Sequence, residues 1–153
     1  MPRLMPRILS LTQANLERIR TAAVAAYPAE CCGLLVGVIE TAVRWRITQV
    51  IPAYNLKAIE RNDRFEIDPA IHIALVRRLR GGGGPEHLIG HYHSHPNGQA
   101  YPSLTDLAMV FEPELVWVIV AVDGESRAVA TEAYQLDGRA IHAVRIATTS
   151  YAI

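Results

Sequence analysis

Leu16, Ile19, Ala23 and Tyr27 fall three or four residues apart, the spacing of one helical face. Ser10 with Gln13 forms a capping-box pattern, so the spacing predicts a helix running to about Ala26. Cys31 to Ile39 is a continuous apolar run, as in a strand buried on both faces. Val43 to Val50 alternates well enough for a partner strand, and Tyr54 to Glu66 is a polar excursion. Asp68-Pro69 pairs a cap residue with proline at the first helical position. The helix it opens carries Ile71, Leu75 and Leu79 at spacing four and stops in Gly81 to Gly84. That glycine run reads as a connection, because no Gly-Lys-Ser/Thr follows it to make a phosphate cradle. A strand over Glu86 to Tyr92, a short helix over Ser103 to Phe111 and a buried strand over Leu115 to Val122 come next. Asp123-Gly124 and Asp137-Gly138 mark the turns of two successive hairpins. The order predicts an α/β fold, a mixed β-sheet flanked by helices, in a single domain over residues 1–153.

Composition narrows the partners. The 153 residues are 50% hydrophobic, enough for one sizeable core. Lys+Arg and Asp+Glu balance at 15 each, and no basic stripe invites nucleic acid and no charge run invites a membrane surface. Met1 to Arg7 has no apolar stretch long enough for a signal peptide or membrane span, so the expected compartment is the cytoplasm. Cys31 and Cys32 are adjacent and are the two cysteines of the chain. Neighbours on a strand point to opposite faces, so they read as two small buried hydrophobes in a reducing compartment.

The candidate chemistry is concentrated in His91-Tyr92-His93-Ser94-His95-Pro96-Asn97-Gly98 and the following Tyr101-Pro102-Ser103-Leu104-Thr105-Asp106. In a strand, His93 and His95 share a face with Cα atoms roughly 6.5–7 Å apart, close enough to converge on one ion. His91 shares that face but lies roughly 13 Å from His95 in an extended strand, and reads as a supporting or packing residue. Pro96-Asn97-Gly98 turns the chain back, and Ser103 then reads as a helix N-cap with Asp106 three residues on. Ser-x-x-Asp is also an ordinary helix start, and His-x-His can be two polar residues at a strand end. Together they make a three-ligand set for zinc with one coordination position open, as a catalytic site requires.

His93-Ser94-His95, seven residues, Ser103, two residues and Asp106 resembles the signature of the JAMM (MPN-plus) metalloproteases. The upstream phrase Pro28-Ala29-Glu30-Cys31-Cys32-Gly33-Leu34-Leu35-Val36-Gly37 is similar to the family's glutamate motif. Pro52-Ala53-Tyr54-Asn55 and Arg64-Phe65-Glu66-Ile67-Asp68-Pro69 are softer matches, and the resemblance covers nearly the whole chain. It implies a JAMM/MPN fold related to that of cytidine deaminases. The deaminases' own His-x-Glu and Pro-Cys-x-x-Cys signatures are missing here, which sets that rival zinc hydrolase aside. The resemblance implies one zinc ion per chain, held by His93, His95 and Asp106. Glu30 would be the general base and later the proton donor to the leaving amine. Its place at the mouth of an apolar strand, where an unpaired charge is costly, agrees with that role. Ser103 would donate to the oxyanion of the tetrahedral intermediate. Its reading as a pure helix cap is compatible with this, and the sequence does not separate the two.

The implied reaction is hydrolysis of the amide after the C-terminal Gly-Gly of a ubiquitin-like protein. The compact length, with only Asn55 to Arg64 free to form a substrate loop, resembles bacterial members that process sulfur-carrier proteins of β-grasp fold. Glycine in such a tail lets the backbone approach the metal closely. Two alternatives stand beside it: a non-catalytic MPN scaffold binding a ubiquitin-like partner, and a processing peptidase of broader, even phage-type, specificity. The sequence leaves the oligomeric state open.

Overall fold

The computed structural model describes residues 4–109, 112–137 and 140–150. Its elements run β1 (Ile8–Thr12), α1 (Gln13–Ala26), β2 (Cys32–Ile39), β3 (Arg44–Ala53), α2 (Pro69–Gly82), β4 (His87–His95), α3 (Leu104–Ala108), β5 (Val116–Val122), β6 (Ala128–Asp137) and β7 (Ala140–Thr149). The strands pair in the order β1-β3-β2-β4-β5-β6-β7, and β7 returns to β1 to close the sheet into a barrel. The sheet is mixed: β1 runs parallel to β3 and β7, and β4 runs parallel to β5, while the remaining pairs are antiparallel. The expected α/β fold with a mixed sheet and flanking helices is therefore what the chain adopts. None of its helices is long and apolar enough to cross a membrane among the described residues.

Alternation along each strand sorts the side chains into separate cores. Val116, Val118, Val120 and Val122 of β5 join Leu9, Leu35, Trp45, Ile89 and Tyr92 in the main core, where Ile19 and Ala23 of α1 pack. The other face of β5 carries Trp117 and Ile119, which pack with Tyr134 and Leu136 beneath Ala100 and Leu107. Leu34 and Val36 meet Leu75 of α2 in a third cluster. Gly33 makes one close approach possible: a Cβ there would lie 2.3 Å from the Tyr92 ring.

Several boundaries differ from expectation. The segment around Ser10 is strand β1, not the start of the helix, and Ser10 is buried with its hydroxyl donating to the Trp45 carbonyl at 3.5 Å. Thr12 caps α1 instead, accepting the Asn15 N–H at 3.1 Å. The reason is long-range: β1 gains its hydrogen bonds from β3 and β7, partners that local patterning does not reveal. Asp68 caps α2 and Pro69 opens it as read, while the helix runs through Gly81 and Gly82 to a left-handed Gly83. The helix after Ser103 is shorter than expected, ending at Ala108 with Met109 as its cap, and Phe111 lies outside the described residues. Asp123-Gly124 does turn between β5 and β6. Gly138, of the other expected hairpin turn, lies outside the described residues. The candidate site sits over the C-terminal end of β4, a strand inside the closed sheet.

Candidate metal centre

Strand β4 ends on His93, Ser94 and His95, and its alternation sends the two imidazoles to one side. His93 is fully buried, and Glu30, His95 and Asp106 are each 3% exposed. The His93 and His95 Nε2 atoms stand 3.1 Å apart, and Asp106 Oδ2 lies 3.3 Å from the first and 2.9 Å from the second. Donors bonded to one tetrahedral zinc at about 2.0 Å are separated by about 3.3 Å. The three atoms thus form a triangle of the size zinc requires, and their nitrogen and oxygen character suits that ion. The His95 Nδ1–H donates to the Gln99 carbonyl at 2.9 Å, so neutral His95 presents a lone pair at Nε2, toward this triangle.

Asp106 reaches the triangle from the first turn of α3. Ser103 caps that helix in a reciprocal box: its hydroxyl accepts the Asp106 N–H at 3.0 Å, and its own N–H donates to Asp106 Oδ2 at 2.9 Å. Because the Ser103 oxygen accepts in this cap, its proton is left to be donated elsewhere.

Glu30 ends the segment that leads from α1 into β2. One of its carboxylate oxygens and the imidazole nitrogens of His93 and His95 lie within 4.8 Å of one another, and its Oε1 is buried with no hydrogen-bond partner. Two anchors place it. The Ser94 hydroxyl accepts the Cys31 N–H at 2.8 Å, and the Asn55 amide donates to the Glu30 carbonyl at 2.9 Å. Asn55 also binds the Arg64 carbonyl and accepts the N–H groups of Lys57 and Glu66, so one buried side chain fastens the whole 55–66 loop to Glu30.

Electrostatics separate the two carboxyls. Burial pushes Glu30 up to about 8, although His95 opposes the shift. Burial also pushes Asp106 upward, but His93, His95 and the Ser103 N–H together hold it well below the usual carboxylate range. Burial lowers His93, whereas His95 ends above its ordinary value because Asp106 and the Gln99 carbonyl outweigh its own burial. One carboxyl is therefore a firm anion in contact with both imidazoles, and the other is poised to hold or release a proton near neutrality.

His91 is half-buried, tilted against Trp117 at 4.6 Å and Phe65 at 5.6 Å, with Nδ1 enclosed and unpartnered. Burial drops it to about 3, so it is neutral. Cys31 and Cys32 are buried free thiols that burial pushes up to about 11 and about 12, which leaves them inert. Phe65 stacks on His93 at 4.4 Å and 23°, a contact the sequence reading missed. Ser94 and Gln99 were also missed as anchors. Alternation in β4 and the Asn97-Gly98 turn are the signals that could have found them.

The fold and this cluster match one class of protein. Residues 12–136 match the family of prokaryotic homologs of the JAB domain, and the chain belongs to that family. A desampylase from Haloferax volcanii is 31% identical over 113 residues, 74% of this chain and 77% of the relative. Tail tip assembly protein K of Escherichia phage N15 is 30% identical over 72% of this chain, which spans 40% of that protein. Among solved structures, protein DSY2949 from Desulfitobacterium hafniense superposes with a TM-score of 0.78 at 26% identity, over 94% of each chain. A JAB1/MPN domain protein from Archaeoglobus fulgidus shares the fold at a TM-score of 0.55 and 19% identity, over 90% of this chain and 97% of its own.

Proposed function

We propose that residues 1–153 form a single zinc metallopeptidase domain of JAMM type, which hydrolyses the amide after the C-terminal Gly-Gly of a ubiquitin-like, β-grasp sulfur-carrier protein. The observation that carries the reading is the 2.9–3.3 Å triangle of His93 Nε2, His95 Nε2 and Asp106 Oδ2, with the orphaned Glu30 carboxyl beside it. These three residues would hold one zinc ion, which when bound brings a water near neutral pKa and polarises a carbonyl.

The chain supplies the rest. Glu30 would take the attacking water's proton at its carboxylate and return it to the leaving amine, and its buried Oε1, which has no hydrogen-bond partner of its own, supports that role. The Ser103 hydroxyl donates to the substrate carbonyl oxygen as negative charge builds there, while the same oxygen stays anchored by the Asp106 N–H. The Phe65 ring shields one face of His93 from water. The archaeal desampylase supports an enzyme over a silent scaffold. The phage tail-tip relative favours one second reading, a processing peptidase of broader specificity. Two free buried thiols support a reducing, cytoplasmic setting.

The deciding experiment is intact-mass detection of cleavage with zinc-loaded protein and β-grasp carriers extended past Gly-Gly. Glu30→Gln and a chelator serve as controls. Cleavage after the second glycine, absent from both controls, is the expected result. No cleavage with stoichiometric zinc bound would move the assignment to another substrate or to a binding role.

A further inference from the structure

The turn between β4 and α3 does more than reverse the chain, because the Gln99 carbonyl within it receives the His95 Nδ1–H at 2.9 Å. That bond holds the ring's rotation and draws the His95 proton to Nδ1, in competition with Asp106 Oδ2, which stands 2.9 Å from Nε2. A backbone carbonyl has no side chain to hold it in place, so its position depends on what fixes the turn. The Gly98 N–H donates to the Val122 carbonyl at 2.9 Å, and the Gln99 N–H donates to Asn97 Oδ1 at 3.0 Å. Both bonds secure the near side. Beyond Gln99 the next carbonyl, that of Ala100, accepts the Tyr134 hydroxyl at 2.6 Å.

Tyr134 is suited to act as a fixed post. It belongs to β6 and is buried with Trp117, Ile119 and Leu136, while Ala100 packs on the same cluster. The Tyr101 ring meets it edge-on at 5.7 Å and 83°. The two successive carbonyls, Gln99 and Ala100, therefore hold His95 on one side and Tyr134 on the other.

We propose that Tyr134, through the Ala100 carbonyl, is a positioning residue that fixes the tautomer and ring orientation of His95. Among the described residues its hydroxyl and ring meet the Ala100 carbonyl and the Tyr101 ring rather than the candidate ligands or Glu30, so it acts through the turn. The inference rests on reading His93, His95 and Asp106 as metal ligands.

The test is Tyr134→Phe, which keeps the ring and its packing and deletes only the hydroxyl. Imidazole nitrogen NMR of the metal-free protein at mildly alkaline pH reads the tautomer, and competition with a chromogenic chelator reads zinc affinity. Wild type should show His95 protonated at Nδ1. Tyr134→Phe should show a mixture of tautomers at His95 with His93 unchanged, and bind zinc about 10-fold more weakly, the low end for losing an outer partner of a ligand. Leu136→Ala, which loosens the same cluster without touching the turn's hydrogen bonds, should lower thermal stability and leave the His95 tautomer alone. A single Nδ1–H tautomer and unchanged zinc affinity in Tyr134→Phe would overturn the proposal. The same tautomer shift in Leu136→Ala would overturn it too, by showing that general loosening suffices. Absence of zinc binding in wild type would instead defeat the ligand assignment, and the NMR comparison separates the two failures.

Discussion

The Ser94 hydroxyl accepts the Cys31 N–H at 2.8 Å, and this bond ties the residue after Glu30 to the residue between the two candidate imidazole ligands. Glu30 leads directly into β2, and His93 and His95 lie on β4; the two strands pair antiparallel, with Cys32 opposite His93. Ser94 removes the remaining freedom at the end of that pairing. Ser94→Ala leaves a buried N–H unpaired, at a cost of about 1–3 kcal/mol. We expect zinc content to stay stoichiometric while the cleavage rate drops by about 10-fold, through loss of alignment. Metal analysis beside the carrier cleavage assay distinguishes this from loss of the metal.

Glu30→Gln should retain zinc and lose on the order of 10²-fold or more in rate, as removal of a general base does. An active variant would mean the proton goes elsewhere.

The same substitution has a signature in the metal-free protein. Burial lifts the Glu30 carboxyl from 4.5 to about 8 in the folded chain. Between those values the folded state holds a proton that the unfolded state has released, so this group makes stability fall as pH rises from about 4.5 to about 8. Glutamine cannot titrate. Glu30→Gln should therefore gain on wild type across that window by on the order of a few kcal/mol. Urea unfolding in chelator at several pH values measures it, and parallel curves for the two proteins would remove burial as the cause.

His93→Ala and Asp106→Ala should each lose the metal, by elemental analysis. Zinc should also leave wild type as pH falls through the histidine range, since a protonated imidazole cannot ligate. Stoichiometric zinc retained well below that range would contradict the assignment.

Gly33→Ala tests the close approach beneath the site. The new methyl group would meet the Tyr92 ring at 2.3 Å, and Tyr92 is locked in the main core between His91 and His93 in sequence. We expect a loss of about 1–3 kcal/mol from overpacking, read by chemical denaturation. The paired change Gly33→Ala with Tyr92→Leu should recover part of it.

What the sequence made legible follows the range of the interactions. His93, His95 and Asp106 sit in two local elements joined by a tight turn, so strand alternation and a helix cap suffice to bring them together. The Asp68-Pro69 start of α2 is equally local. Strand β1 is five residues long and draws its hydrogen bonds from β3 and β7, so nothing in its own pattern distinguishes it from a helix entry. Phe65 and Asn55 act from a loop with no period, and only their contacts with His93 and the Glu30 carbonyl show what they do.

Closure of the sheet also bears on how the molecule is made. The contact that seals the ring joins Ile8–Thr12 to Arg145–Thr149, the first strand to the last. Every proposed site residue, from Glu30 to Asp106, lies between those two strands in the chain. A chain emerging from the ribosome thus exposes all the proposed ligand side chains before β1 can find its β7 partner, and contacts between such distant segments form slowly. Zinc captured in that interval would bind a sheet still open along one seam, so metal supply during synthesis, and not only afterwards, would influence how much of the protein reaches its sealed form.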